Sequence, residues 1–520
     1  MANSLTDVAE ESTKGSFILV SGIIIATIIS AVVSIFVARF LGPEDYGLYS
    51  LSLVVPQIFY LVTDFGIREG LIKFTIDAQK NGQINLGIKI IKYSILIRAI
   101  AGILCFLLLF VSADFISEVI LQRPNLGFFV RIASITVIFQ AIYTTSTHAY
   151  IGLDKTLRSS IITQIQALSK AVFTVLFIVL GFGISGAVFG YVSGLVVAGT
   201  IGLFSILLYF RGFDNFVDSQ QIATNLKKLM KYGAPLYFSY MIIGIMPQLF
   251  DLLLAFFTSN YYIGNYKATA NFMILLSLVA QQFTTSLLPA FTKLNGGSNS
   301  NTKSFFGMSH KYLTLVIIPL TVLLMFFSNE AVQLAYGAKY SDAGFFLTIY
   351  SSLYLLTGIG YLVLPSLFNG MGKTKVTLKM NLITFLIAII ISPLAIGFFG
   401  IIGLIVTIVF SYFMGSVYGM YKAKKTVGIN FNFRVLYKIY VVAFLCIVPS
   451  ILVATNLTAI PKILLGVVLY LFIYLTLLPI VKIVSKSEIE LLEKYITKIK
   501  PLFILKPLFD YYDVIFRFIE

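Results

Sequence analysis

Long apolar stretches separated by short polar connections extend along almost the whole chain. A helix needs about 20 predominantly apolar residues to cross the hydrocarbon core of a bilayer, and about fourteen stretches meet this requirement. They predict spans at Ser16–Leu41, Tyr46–Phe65, Ile88–Ser112, Gly127–Tyr150, Ser159–Leu180, Ser185–Phe210, Leu229–Phe257, Ile263–Phe291, Phe305–Phe327, Ala343–Asn369, Val376–Ile396, Ile401–Tyr421, Val435–Thr455 and Pro461–Val484. The pattern therefore predicts an all-α integral membrane protein with about fourteen transmembrane helices.

The composition points to the same environment. The 520 residues are 58% hydrophobic and 12% charged, and their mean hydropathy is +0.94. A soluble domain is about half apolar and about a quarter charged, so this chain has more apolar surface than an aqueous fold can bury. The bilayer is therefore the predicted solvent for most of the protein.

The positions of the basic residues predict the orientation in the membrane. The formal net charge of +16 would by itself fit a nucleic-acid-binding protein. However, Lys and Arg lie mainly in the loops that follow even-numbered spans, and few follow odd-numbered spans. By the positive-inside rule, both termini are predicted on the cytoplasmic side of the cell membrane, and nucleic acid is not an expected partner.

Similar short motifs recur along the chain at a spacing of about 217 residues, which predicts an internal repeat. The residues of the first matched motif are Ala38, Phe40, Gly47 and Tyr49, which align with Ala255, Phe257, Gly264 and Tyr266. Because this spacing contains six spans, an even number, the repeats share one orientation, as in other transporters with parallel repeats. The sequence predicts six-helix bundles at 1–210 and 229–422, with a central cleft that suits alternating access.

Two further segments follow the repeat. Residues 435–484 hold two additional transmembrane helices, and residues 485–520 form a predicted cytoplasmic amphipathic tail. In this tail Ile489, Leu492, Ile496 and Ile499 recur at helical spacing among lysines. This pattern predicts a helix that lies on the anionic inner leaflet, with binding to a protein partner as the alternative.

Ionisable residues inside spans are the main candidates for function, because they are costly in lipid and usually face a cavity or another helix. Arg98, Lys170 and Lys267 are cationic, and Gln166 shares a helix face with Lys170. These basic groups predict an anionic ligand, because ammonium and guanidinium groups bind phosphate strongly at low dielectric. Asp251 is the acidic candidate.

Alternative interpretations remain for these residues. Arg98 and Lys267 could extend their charged ends to the membrane interface. Asp251 follows Pro247, which frees a backbone carbonyl, so this carboxylate could bind a coupling cation such as Na+ or H+. It could equally balance the charge of a neighbouring Lys or Arg.

Other charged residues lie near the predicted ends of spans. Asp64, Arg68 and Glu69 follow the second span and are candidates for a gate, although a solvated helix end is the simpler interpretation. Arg39, near the end of the first span, is a candidate head-group contact or an interfacial residue. His148 is interpreted as a packing residue.

Patterns typical of catalysis are missing from the sequence. It contains no phosphate-binding Gly-rich loop ending in Lys-Ser or Lys-Thr, and no His-Glu-x-x-His motif. Two histidines and two cysteines, the latter inside apolar stretches, do not form a metal site or a disulfide framework. We therefore expect a transporter with no metal and no cofactor, and not an enzyme.

Several motifs resemble those of a known family. The segment Ala38-Arg-Phe-Leu-Gly-Pro-Glu-Asp-Tyr-Gly-Leu-Tyr49 is similar to the end of the first helix in polysaccharide-transporter (Wzx-like) flippases of the multidrug/oligosaccharidyl-lipid/polysaccharide (MOP, MATE-like) superfamily. Asp64-Phe-Gly66, Gly152-Leu-Asp-Lys155 and Asp251 followed by Gly264-Asn-Tyr266 are also similar, and the resemblance extends over about Ser16 to Lys425. It implies a V-shaped pair of six-helix bundles whose basic residues hold a lipid pyrophosphate, with Arg39 and Asp251 at matching positions.

The leading hypothesis is a flippase for a polyprenyl-pyrophosphate-linked oligosaccharide that works by alternating access during assembly of a surface polysaccharide or glycoprotein glycan. Membrane lipid and the lipid-linked oligosaccharide are its expected partners, and glycan-assembly enzymes are candidate partners. The alternatives are a cation-coupled drug antiporter of the same fold and a membrane glycan polymerase or ligase. Short outer loops count against the last alternative.

Overall fold

The computed structural model describes residues 2–211, 219–294, 299–454, 457–496 and 506–519. These ranges fold into helices joined by turns and contain no β-strand, which confirms the all-α prediction. The helices are α1 (Ala2–Val62), α2 (Ile67–Lys80), α3 (Ile84–Phe115), α4 (Gly127–Gly152), α5 (Thr156–Val179), α6 (Gly183–Tyr209), α7 (Ser219–Phe257), α8 (Asn260–Leu294), α9 (Asn299–Phe326), α10 (Ser328–Tyr336), α11 (Ala343–Leu355), α12 (Val363–Gly370), α13 (Thr374–Val427), α14 (Phe433–Ala454), α15 (Ala459–Ile480), α16 (Lys486–Ile496) and α17 (Lys506–Ile519).

Within these described ranges, eleven helices are long and apolar enough to cross a membrane. The number is twelve if the bent pair Ala343–Ile359 and Val363–Gly370 is one span. Two of the eleven are interrupted by a glycine with positive φ, a conformation that glycine adopts readily. These are α1 at Gly42 (φ 78°, ψ 171°) and α13 at Gly400 (φ 57°, ψ −137°). Each of them therefore contains two apolar segments. With this division, and with the bent pair counted as one span, the described residues hold fourteen apolar segments, the number that the sequence predicts.

Other features differ from the sequence prediction. α2 and α10 are short helices that the apolar pattern does not indicate, because their polar faces interrupt it. The predicted continuous span Ala343–Asn369 is wrong in detail, since a 3₁₀ turn at Leu356–Ile359 and left-handed Gly360 (φ 84°) divide it into α11 and α12. The 45° bend between the two pieces follows from this local break in the hydrogen-bonding pattern.

The chain divides into two compact units. Unit 1 comprises Met1–Asn271 and Ile389–Leu404. Unit 2 comprises Phe272–Ala388 and Ile405–Glu520. These units do not follow the predicted boundaries of the sequence repeat, and the division into two six-helix bundles stays a prediction.

Each unit has an apolar core of its own. In unit 1, buried side chains of α2, α3, α4 and α6 form a cluster that includes Ile67, Leu71, Ile91, Tyr150 and Ile206. In unit 2, residues of α9, α14 and α15 form a cluster that includes Ile318, Val322, Ile439, Tyr470 and Tyr474. Lipid tails are as apolar as these side chains, so within a bilayer such clusters stabilise the fold through close van der Waals packing between helices.

The C-terminal tail packs on unit 2. Ile489 of α16 and Phe509 and Tyr512 of α17 are buried in the same core as α14 and α15. Their apolar faces therefore contact protein, which differs from the predicted helix lying on lipid. Ile499, which contributed to that prediction, lies outside the described residues.

Candidate functional site

Arg98 of α3 is the most deeply buried charged residue of the predicted set. Its side chain is 0% exposed, so its charged end lies inside the protein. Nη1 donates hydrogen bonds to the hydroxyls of Thr144 and Thr145 on α4, each at 3.1 Å. The guanidinium also lies 5.8 Å from the ring centroid of Tyr60, within the range of a cation–π contact.

An acidic side chain partly balances this buried charge. Nη1 of Arg98 lies 4.0 Å from Oδ1 of Asp64, which is an ion-pair distance but too long for a hydrogen bond. Nε and Nη2 of Arg98 have no hydrogen-bond partner. Buried guanidinium donors are usually paired. If the site opens, these two N–H groups are available to donate hydrogen bonds to an anionic oxygen.

Asp64, Arg68 and Glu69 form a connected charged group at the junction of α1 and α2. Nε of Arg68 lies 3.6 Å from Asp64 and 3.4 Å from Glu69, and the backbone N–H of Arg68 donates to Asp64 Oδ1 at 3.1 Å. Asp64 is only 8% exposed, whereas the side chains of Arg68 and Glu69 are 27% and 28% exposed. Burial raises the pKa of the Glu69 carboxyl, and the neighbouring Arg68 partly opposes this shift.

Together with Arg98, these residues form what we call the buried charge cluster: Asp64, Arg68, Glu69 and Arg98. It carries two positive and two negative formal charges, which reduces the cost of burying Asp64 and Arg98. His148 lies close to it and its Nδ1 contacts the carbonyl of Thr144 at 2.7 Å. This contact fits the interpretation of His148 as a satisfied packing residue.

Lys170 and Gln166 lie elsewhere on unit 1. Both are half-buried on α5, one helical turn apart. Nζ of Lys170 lies 5.2 Å from the ring centroid of Tyr191 on α6, which is a cation–π distance. The ammonium group of Lys170 therefore contacts an aromatic ring inside the protein. Lys170 is not a member of the buried charge cluster.

Asp251 and Lys267 form a separate pair between α7 and α8. Nζ of Lys267 donates to Oδ2 of Asp251, whose residue is 1% exposed. Oδ1 of Asp251 has no hydrogen-bond partner. In this pair Asp251 lies beside a Lys whose charge it can balance, which is one of the two interpretations given above. The other, that Asp251 binds a coupling ion, stays a prediction.

Arg39 is exposed on α1, three residues before the break at Gly42. Its proposed contact with a head group stays a prediction.

Arg123, which the sequence indicates only as a loop residue, forms several hydrogen bonds. Its guanidinium donates to Asn260 Oδ1, to the carbonyl of Ala255 at 3.3 Å and to that of Thr258 at 2.7 Å.

The structure thus brings some predicted residues together and leaves others apart. The residues of the buried charge cluster were all predicted individually, but Tyr60, Thr144 and Thr145 were not. The run Thr144-Thr145-Ser146-Thr147 inside a span is a signal that could have indicated a polar partner. Across the described part of the chain, no group of three or more His, Cys, Asp or Glu residues is placed to hold a metal ion.

Comparison with known families identifies the class of protein. The family model described as "Polysaccharide biosynthesis protein" matches residues 12–295, which is more than half of the chain. The chain therefore belongs to this family. It is a multi-pass membrane transporter of polysaccharide biosynthesis, in agreement with the resemblance drawn from its motifs.

Two archaeal proteins are similar in sequence. An uncharacterised membrane protein of Methanocaldococcus jannaschii is 22% identical over 459 residues, which cover 85% of this chain and 89% of that protein. The probable low-salt glycan biosynthesis flippase Agl15 of Haloferax volcanii is 19% identical over 414 residues, with coverage of 76% and 80%.

Solved structures share the fold. The lipid II flippase MurJ in an inward closed conformation has a TM-score of 0.73 at 15% identity, over 89% of this chain and 99% of MurJ. An inward-facing multidrug resistance MATE family transporter of the MOP superfamily has a TM-score of 0.65 at 15% identity, with coverage of 78% and 94%. At these identities the likeness establishes the MOP fold.

Proposed function

We propose that this protein moves a polyprenyl-pyrophosphate-linked oligosaccharide from the inner to the outer leaflet of the cytoplasmic membrane by alternating access. The observation that carries this proposal is the family match over residues 12–295. This range contains every ionisable residue of the candidate site, from Arg39 to Lys267. The probable low-salt glycan biosynthesis flippase Agl15 and the lipid II flippase MurJ are similar to this chain, and a lipid-linked glycan is the kind of substrate that their names indicate.

The chemistry of Arg98 supports a pyrophosphate-bearing substrate. Two of its donors, Nε and Nη2, lack partners while the side chain is fully buried. Guanidinium groups bind phosphate oxygens in a bidentate manner, and such charge-assisted hydrogen bonds strengthen at low dielectric. In this proposal the ion pair with Asp64 holds Arg98 until the substrate pyrophosphate competes for it.

The remaining candidates have defined places in this proposal. Lys170, Gln166, Arg39 and Lys267 are proposed head-group contacts, and Asp64, Arg68 and Glu69 are the proposed gate. Na+ or H+ is the proposed coupling ion. The Lys and Arg distribution along the loops supports cytoplasmic termini. The antiporter alternative has no comparable support, because the family match is to polysaccharide biosynthesis and the similar MATE transporter shares the fold at 15% identity.

A cellular experiment tests this function. Cells that depend on the protein would carry the wild type, Arg98→Gln or Lys170→Met, and both surface glycan and lipid-linked oligosaccharide would be quantified. We expect both variants to reduce surface glycan at least about fivefold while the lipid-linked precursor accumulates. Arg131→Gln is a matched control, because Arg131 forms an exposed ion pair with Asp114. Normal display in Arg98→Gln cells at wild-type protein levels would contradict the proposed role of Arg98.

A further inference from the structure

The break between α11 and α12 places irregular backbone inside a membrane-spanning segment of unit 2. The 3₁₀ turn Leu356–Ile359 and left-handed Gly360 separate the two helices. Within the hydrocarbon region, such backbone is tolerated only where it is buried in protein or lines a water-filled cavity. Broken helices in transporters commonly form substrate sites for this reason.

A cavity of about 340 Å³ lies beside this break, entirely within unit 2. Tyr361, Ser366 and Asn369 line it from the broken span, and Thr284 and Thr285 line it from α8. Its volume is within the range of about 300–1,000 Å³ that is typical of small-molecule sites. No Lys, Arg, His, Asp or Glu is among its lining residues.

The sequence of α8 supports a wet cavity here rather than a lipid-facing surface. A run of neutral polar residues interrupts this apolar helix at Gln281, Gln282, Thr284, Thr285 and Ser286. Gln281, Thr285 and Ser286 are exposed. Thr285 and Ser286 donate to carbonyls of their own helix, but the carboxamide of Gln281 is costly in hydrocarbon without a hydrogen-bond partner, so this face is expected to contact water or a polar ligand.

The polar groups around the cavity are held in fixed positions. Ser366 Oγ donates to the carbonyl of Thr284 at 3.0 Å, which ties α12 to α8. Thr377 Oγ1 donates to Asn369 Oδ1 at 2.8 Å, which fixes the orientation of the carboxamide. The hydroxyl of Thr285 donates to its own helix at Gln281 at 2.9 Å and keeps a lone pair with which to accept another hydrogen bond.

Tyr361 adds an ordered aromatic surface. Its ring meets that of Tyr412 at a centroid distance of 5.2 Å and an angle of 74°, and that of Tyr354 at 6.4 Å and 71°. Such edge-to-face contacts restrict the ring. The cavity therefore combines a rigid aromatic residue with neutral hydroxyl and amide groups.

From this combination we infer that the cavity beside the α11–α12 break is a subsite for a neutral sugar unit of the transported lipid-linked glycan. A pyranose ring presents many hydroxyls and an apolar C–H face, which match the hydroxyl, amide and aromatic groups present. A pyrophosphate finds no cation among the lining residues, and an acyl chain would leave the polar groups unpaired. This inference rests on the proposed function and adds a recognition site for the sugar to it.

The test compares two probes that differ only in the sugar. One is undecaprenyl pyrophosphate that carries a neutral N-acetylhexosamine disaccharide, and the other is undecaprenyl pyrophosphate alone. Affinity for each would be measured with the full-length protein in lipid nanodiscs, for the wild type and for Thr285→Val/Asn369→Leu. We expect the double variant to bind the disaccharide-bearing probe about tenfold more weakly and the sugar-free probe within about twofold of wild type.

Thr292→Val is the matched control, because Thr292 also lies on α8 and bonds its own helix at Leu288 but does not line the cavity. Its affinities should equal those of wild type. Equal losses for both probes in the double variant, or no loss for either, would overturn the subsite. The proposed function fails separately: a wild-type protein that translocates the disaccharide-bearing probe no faster than empty vesicles contradicts that function and the subsite with it.

Discussion

Gly47 and Gly264 occupy reciprocal positions in unit 1. Gly47 lies against the backbone carbonyl of Asn260, and Gly264 lies against the backbone carbonyl of Pro43. Each residue and its counterpart are separated by 217 positions, the spacing of the predicted repeat. Reciprocal contacts of this kind arise when two similar elements are related by a twofold axis; the internal repeat itself stays a prediction.

The reciprocal contact predicts a steric effect. A Cβ atom at either glycine would meet the opposing backbone, which cannot rotate away as a flexible side chain can. We expect Gly47→Ala and Gly264→Ala each to destabilise the protein by about 1–3 kcal/mol, measured as thermal or denaturant unfolding in detergent. Gly307→Ala is the control, because no atom lies near its added Cβ. Unchanged stability in both variants would refute the close contact.

Arg123 predicts a local effect on the α7–α8 turn. Its guanidinium joins Asn260 and the carbonyls of Ala255 and Thr258, and burial lowers its pKa. Arg123→Gln removes most of these hydrogen bonds, each worth about 1.5–3 kcal/mol when a charged group takes part. We expect at least about tenfold faster amide hydrogen exchange in residues 256–262. Arg123→Lys should recover only part of the protection from exchange. Exchange at the wild-type rate in Arg123→Gln would contradict the proposed role of Arg123 in this turn.

The ion pair between α9 and α16 predicts a pH dependence. Lys311 Nζ donates to both carboxylate oxygens of Glu488, at 2.7 and 2.9 Å. Burial alone would raise the pKa of Glu488, but the hydrogen bonds from Lys311 and from the backbone of Ser485 lower it below the ordinary 4.5. A lowered carboxyl pKa stabilises the docked tail above pH 4.5, and this contribution is lost as the pH falls through the lower value in the folded protein.

Limited proteolysis of the tail as a function of pH measures this contribution. We expect cleavage to increase below about pH 4.5 in the wild type. Glu488→Gln should raise cleavage at neutral pH and weaken the pH dependence, whereas Glu490→Gln, at an exposed position, should behave as wild type. Equal cleavage of the wild type and Glu488→Gln at every pH would show that the ion pair does not hold the tail.

The pair formed by Asp251 and Lys267 allows the two interpretations of Asp251 to be separated. Removing one partner leaves a buried charge uncompensated, which typically costs about 3–5 kcal/mol. Lys267→Met alone leaves the carboxylate of Asp251, which is 1% exposed, without its partner and should therefore destabilise the protein, and Asp251→Asn/Lys267→Met should restore stability. If Asp251 only balances charge, the transport that the double variant retains should still respond to the ion gradient. A stable double variant whose remaining transport no longer responds to the ion gradient would instead assign Asp251 to coupling.

The spans, the boundary between the first two of them and the candidate residues Arg98, Asp64 and Asp251 could be predicted because apolar length and ionisable residues within spans are local signals. The contact of Arg98 with Asp64 could not, because it joins positions far apart in the chain. The same reason applies to the interactions of Arg123 with the α7–α8 turn.

The break between α11 and α12 escaped prediction for a different reason. Hydropathy measures apolar length, and the stretch Ala343–Asn369 remains apolar through the 3₁₀ turn. Gly358 and Gly360 were the available local signals. The tail was predicted as amphipathic, but the sequence alone does not distinguish a lipid surface from the apolar side chains of α14 and α15 as the partner of its apolar face.

The most direct test of the central claim is a translocation assay with purified protein in lipid vesicles. A labelled polyprenyl-pyrophosphate disaccharide would be placed in one leaflet, and its exposure to an impermeant reagent on the other side would be followed with time. We predict protein-dependent translocation by the wild type and by Arg131→Gln, and at least about a tenfold slower rate for Arg98→Gln. Translocation by wild type at the rate of protein-free vesicles, under each ion gradient applied, would contradict the account.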